Sequence, residues 1–114
     1  MKTFICVKTC FEGWHNWPEA PIEIEFLRFP HRHLFYVEVK LPVLHDDRQL
    51  EFFIVKRFLD ETIKMLYPSK VLKQRSCEMM AKELLEEIVK KFKIKRGITI
   101  SISEDNENGA IVEI

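Results

Sequence analysis

His31-Arg32-His33-Leu34-Phe35-Tyr36-Val37-Glu38-Val39-Lys40-Leu41 is the stretch on which the fold turns. It alternates along its length until Pro42, so it reads as a long strand with one face toward a core. His31 and His33 are two residues apart. Their side chains project from the same face, with Cα atoms roughly 6.5–7 Å apart. Imidazoles at that separation can converge on one ion at ~2.0–2.1 Å.

Upstream, Lys2 to Phe11 reads as a first strand, with Phe4, Cys6, Lys8 and Cys10 on one face and Thr3, Ile5, Val7 and Thr9 on the other. Gly13 to Pro21 has loop chemistry, and Ile22-Glu23-Ile24-Glu25-Phe26 alternates like a short edge strand. Downstream, His45 to Gln49 is a polar turn. Phe52, Val55, Leu59, Ile63 and Leu66 then recur at spacings of three and four, the apolar stripe of a helix that Pro68 stops. Ser76 is placed to N-cap a second helix, with Glu78 in its first turn, Met80, Leu84, Ile88 and Phe92 as its stripe, and Gly97 as its end. Ile98 to Ser103 alternates as a strand, Asp105 to Gly109 turns, and Ala110 to Ile114 closes the chain as a strand.

The order strand, strand, helix, helix, strand, strand predicts one α+β domain over 1–114. Its antiparallel four-stranded sheet would carry both helices on one face. The other face is expected to carry Ile5, Val7 and several aromatics, so self-association would cover it.

Eighteen basic and eighteen acidic residues cancel, which provides no chain-wide field for nucleic acid or an anionic membrane. The local cluster Lys90, Lys91, Lys93, Lys95 and Arg96 follows the second helix and suits its carbonyl end. No run approaches the ~20 apolar residues of a membrane span, and the first residues lack an apolar leader core. Cys6, Cys10 and Cys77 are odd in number and form no C-x-x-C pair, as expected of reduced thiols. A cytoplasmic protein is the expectation.

His15 follows the first strand in a loop that could fold back over His31 and His33. Three imidazoles leave a tetrahedral zinc one open position, the arrangement of a catalytic site. An H-x-H pair is also compatible with half-buried strand histidines that bind nothing. His45, flanked by Asp46 and Asp47, reads as a solvated turn residue.

The order of elements and these histidines resemble the 6-pyruvoyltetrahydropterin synthase and 6-carboxytetrahydropterin synthase family, whose architecture is the tunnelling fold. Phe11-Glu12-Gly13-Trp14-His15 resembles its F-x-x-x-H, and His31-Arg32-His33 with the following strand resembles its H-G-H-N-Y. Leu50-Glu51-Phe52 resembles the start of its first helix, and Ser76-Cys77-Glu78-Met79-Met80-Ala81 the opening of its second. Ser103-Glu104-Asp105-Asn106 with Ala110-Ile111-Val112 resembles its final hairpin. The resemblance implies zinc held by His15, His31 and His33. Ser76, Cys77 and Glu104 would belong to the ligand site, with Glu104 gripping the ring. A carboxylate can accept together the exocyclic amine and ring N–H of a pterin or guanine. The bland alternative for Glu104 is a solvated turn acid. The resemblance also implies pockets between subunits of a homo-oligomer, a hexamer of paired trimers or another ring.

The chain departs from that pattern where the chemistry is done. The 6-carboxy branch has its catalytic cysteine where this chain has Leu27, the 6-pyruvoyl branch where it has Glu25, and a glutamate branch where it has Arg28. Leu27 cannot take a proton; Glu25 could, although an alternating strand more simply makes it a solvated acid. The Asp-His pair after the first helix is also missing. Arg32 stands between the strand histidines, where alternation points it away from them. Cys10 and Cys77 are possible stand-ins, and Cys77 opens a helix, where a thiolate is stabilised. Two functions follow: a zinc-dependent synthase-like enzyme acting on dihydroneopterin triphosphate or a related pterin, or a module that captures a pterin, guanine or guanine nucleotide without turnover.

Overall fold

β1 (Thr3–His15) and β2 (His31–Val43) are the longest strands of the computed structural model, which describes residues 1–114, and they pair antiparallel from Thr3↔Val43 to His15↔His31. Residues directly opposite on such a pair share a face. Val7, Phe35, Val37, Val39 and Leu41 therefore bury together, while Cys6, Lys8, Cys10, Tyr36 and Glu38 stay exposed on the other side.

Both strands run past their expected ends. His15, expected in a loop beyond the first strand, is the last residue of β1, because β2 offers His31 to His33 as ladder partners there. Gly13 permits this extension: a Cβ at that position would lie 2.5 Å from Leu72 Cδ1. β2 continues through Pro42, which lies beyond the reach of β4, where a missing N–H costs no ladder bond on that side. Ile22–Arg28 is a broken 3₁₀ helix, not an edge strand; Ile24 N–H donates to the Pro21 carbonyl at 3.0 Å, so turn bonds replace the ladder.

α1 (Phe52–Leu66) is capped by the Glu51 carboxylate accepting from Ile54 N–H, and buries Val55, Leu59 and Ile63. Phe52, at the start of its expected stripe, is exposed in the first turn. β3 (Val71–Lys73) pairs parallel with β1 at Trp14 and His15. α2 (Cys77–Phe92) has Ser76 as N-cap, its hydroxyl accepting from Met79 N–H at 3.2 Å, and fully buries Met80, Leu84 and Ile88. The helix ends before Gly97, at Lys93, which adopts the left-handed conformation (φ 56°) and donates to the Val89 carbonyl. β4 (Thr99–Glu104) pairs antiparallel with β2, and β5 (Asn108–Glu113) with β4.

The fold is α+β as expected, but the sheet is five-stranded and mixed, in the order β3-β1-β2-β4-β5. β1, β2, β4 and β5 form the expected antiparallel run with the helices packed on one face. The added strand is three residues long and buries only Leu72, too short for an alternation to register. Ile5 and Val7, expected on the uncovered face, instead face the helices, because the odd residues of β1 are its core side. The uncovered face combines ion pairs, Lys8 with Glu38 and Arg32 with Glu12, with the exposed aromatics Trp14 and Tyr36. No helix is long and apolar enough to cross a membrane.

Candidate functional site

The register of β1 and β2 builds the site. His15 pairs with His31, and His33 lies opposite Gly13, so all three imidazoles stand on the core face at one end of the hairpin. Their ring centroids are 4.5 Å (His15–His31), 5.3 Å (His15–His33) and 5.1 Å (His31–His33) apart. One ring nitrogen from each lies within 4.8 Å of the other two. Phe35 closes the floor edge-on to His15 and His33, at 5.4 and 5.6 Å between centroids.

The outward nitrogens are tied back. His15 Nδ1 donates to the Arg75 carbonyl at 2.8 Å and His31 Nδ1 to the Phe29 carbonyl at 2.8 Å. A carbonyl only accepts, so both rings carry their proton on Nδ1 and direct the Nε2 lone pair inward. His33 Nδ1 meets the Asp105 carboxylate at 2.7 Å, and the other Asp105 oxygen accepts from Leu34 N–H at 3.0 Å. A carbonyl or carboxylate behind each ring is how metal-binding histidines are oriented.

His15 Nε2 and His33 Nε2 are buried and have no hydrogen-bond partner. A buried polar atom without a partner is costly. Three converging imidazole nitrogens fit a transition-metal ion, for which imidazole is a suitable donor, and do not fit magnesium or calcium, which take oxygen. Burial pushes the His15 pKa below the usual histidine value, against the opposing pull of the Arg75 carbonyl, which keeps the ring in its ligating form. The bonds from His33 and then Leu34 N–H hold the Asp105 carboxyl below the usual aspartate value.

A cleft of about 530 Å³ opens beside the histidines. It brings together His15, His31, Ser76, Cys77 and Glu104, and Leu27 forms part of its wall. Glu104 ends β4 opposite Phe35, on the face of the histidines. Its carboxylate lies 3.0 Å from His33 Nε2 and 3.8 Å from His15 Nε2, without hydrogen-bond geometry to either. Ser76 is committed through its hydroxyl to the α2 cap. Cys77 is no ready thiolate: burial foremost, then Glu104 and Glu78, push its thiol up to about 12. Those effects outweigh the helix start that favoured the thiolate.

Glu25 is not brought to this cleft. It lines a separate surface hollow with Ile22, Phe26 and Phe29. Arg32 points away from the histidines, as alternation predicts, and its Nε donates to Glu12, which also takes Lys70 Nζ at 3.1 Å.

Two contributors had escaped the sequence reading. Asp105 was legible only as a hairpin turn residue; it reaches His33 because the backbone there takes a left-handed turn (φ 54°). Arg75 supplies the carbonyl behind His15, while its guanidinium bonds Glu83 at 2.9 Å and lies 5.1 Å from the centre of the Tyr67 ring. No sequence signal marks a backbone carbonyl as a second-sphere partner.

The class defined by fold and site is an α+β protein with three histidines close enough together to hold a metal ion, at the edge of a cleft. Scans against protein-family models and a search of curated proteins return no match for this chain.

Proposed function

We propose that this chain is a zinc-dependent protein of the 6-pyruvoyl-/6-carboxytetrahydropterin synthase type, with a tunnelling fold, acting on dihydroneopterin triphosphate or a related pterin. The observation that carries this reading is the convergence of three imidazoles beside Glu104, with His15, His31 and Glu104 lining one cleft. The antiparallel run β1-β2-β4-β5 with both helices on one face supports the fold half of the reading.

Zinc, when bound, supplies Lewis-acid polarisation of a hydroxyl or carbonyl oxygen. His15, His31 and His33 would hold it, with Arg75, Phe29 and Asp105 fixing their tautomers. Glu104 can accept from the amine and ring N–H of a pterin, a pairing the hydrophobic wall at Leu27 does not provide. Subunit association into a ring, the cytoplasm as location and reduced Cys6 and Cys10 complete this reading.

A second reading is favoured by one observation: Leu27 stands in the cleft where a proton-transferring side chain is needed, and Glu25 lies outside it. General acid–base help is worth ~10²–10⁴ in rate. Without it the same site would capture a pterin, guanine or guanine nucleotide and release it unchanged.

The test has two parts. Zinc analysis of tag-free protein measures the centre; well below one ion per chain refutes the zinc-dependent enzyme. Incubation with dihydroneopterin triphosphate, followed by chromatography of the pterins, separates them. Turnover that disappears in His33→Ala and persists in Glu25→Ala supports an enzyme with its base inside the cleft. Binding without turnover supports capture.

A further inference from the structure

Glu104 and the orphaned nitrogens of His15 and His33 pose one chemical question. The two Glu104 oxygens face one each: Oε2 lies 3.0 Å from His33 Nε2, and Oε1 lies 3.8 Å from His15 Nε2. These histidines are the only basic side chains within ion-pair reach of the carboxylate. His33 stands between two acids, with Asp105 at 2.7 Å on its Nδ1 side. The Nδ1 proton serves Asp105, so a neutral His33 turns a lone pair toward an anionic oxygen. Lone pair against anion at 3.0 Å is repulsive unless a cation lies between them.

The distances fit a shared cation. Ligands ~2.0–2.1 Å from a tetrahedral ion are about 3.4 Å from one another. The separations of 3.0 and 3.8 Å bracket that value. Topology enforces the placement: Glu104 pairs with Phe35, two residues along β2 from His33 on the same face.

We infer that Glu104 is itself a metal ligand, closing a three-histidine, one-carboxylate centre while no organic ligand is bound. This rests on the metal centre proposed above and changes what that centre does. Both Glu104 oxygens face the histidine nitrogens, so the edge that would meet the paired N–H donors of a ring is the edge turned to the ion. A ligand carrying an amine beside a ring N–H therefore draws Glu104 off the ion and frees a coordination position for its own oxygen or for water. The centre is closed at rest and opens for a ring of that hydrogen-bonding pattern, so recognition and exposure of the ion become one event.

Cobalt(II) titration tests this with no need for turnover. Wild type should bind one ion with the intense visible bands of a four-coordinate centre. Water-proton relaxation should show no exchangeable water on the cobalt. Glu104→Gln should bind cobalt at least tenfold more weakly, on the scale that even outer partners of metal ligands command, and should gain an exchangeable water. Circular dichroism verifies that the variant is folded, and the wild-type relaxation result stands without it. Neopterin added to the wild-type cobalt protein should alter the visible bands. A wild-type centre that already carries exchangeable water, or a Glu104→Gln variant matching wild type in affinity and bands, overturns the closed centre and leaves the three-histidine site standing. Absence of cobalt binding to wild type overturns both.

Discussion

Replacing Asp105 with asparagine isolates the partner behind His33. In the native site one Asp105 oxygen accepts from Leu34 N–H at 3.0 Å and the other meets His33 Nδ1 at 2.7 Å. Asparagine can keep only one of these as an acceptor. If its oxygen stays on Leu34, its NH₂ faces His33 Nδ1, and two donors then oppose each other. The imidazole escapes by moving its proton to Nε2, which removes the lone pair from the ion. Loss of an outer partner of a ligating histidine typically costs 10–100-fold in metal affinity. A forced tautomer change places Asp105→Asn toward the upper end, near a hundredfold. Fold stability should hardly move, because Asp105 is exposed and outside the core. The assay is competition for zinc against a chromophoric chelator, with urea unfolding of the metal-free protein as control. An Asp105→Asn affinity within threefold of wild type, in a variant of native stability, would refute the claim that Asp105 sets the His33 tautomer.

Three further outcomes follow from the same structure. Metal-free protein should lose stability as pH falls below about 6.5, the ordinary histidine value: the unfolded chain then takes a proton that buried His15 resists, and the loss is complete only below the lowered folded pKa. Urea midpoints from pH 8 to 5 should show this slope, and His15→Asn should reduce it; an unchanged slope in the variant rejects the assignment. Maleimide labelling of folded protein at neutral pH should modify exposed Cys6 and Cys10 and spare Cys77, whose thiol is pushed up to about 12; mass mapping that finds Cys77 labelled as fast as the others contradicts its burial. Leu84→Ala, in α2 and fully buried, should cost about 2–5 kcal/mol in urea unfolding, and a cost below 1 kcal/mol would mean that the helix does not pack on the sheet as described.

Sequence periodicity alone determined the α+β class, the two long helices, the Ser76 cap and the shared face of His31 and His33. These are local properties: a period of two or of 3.6 residues needs no knowledge of what lies opposite. Arg32 was legible for the same reason. Only the tertiary structure decided which face of β1 is buried, that Ile22–Arg28 coils, that three residues at 71–73 add a parallel strand, and that His15 ends β1 in register with His31. Register depends on the partner strand, and β1 acquires its last residues as a strand only because β2 is there to pair with them. The site divides the same way. The histidines were visible as residue types at a spacing, while Asp105 behind one ring, the Arg75 carbonyl behind another and Glu104 across two bare nitrogens come from chain segments brought together only by folding.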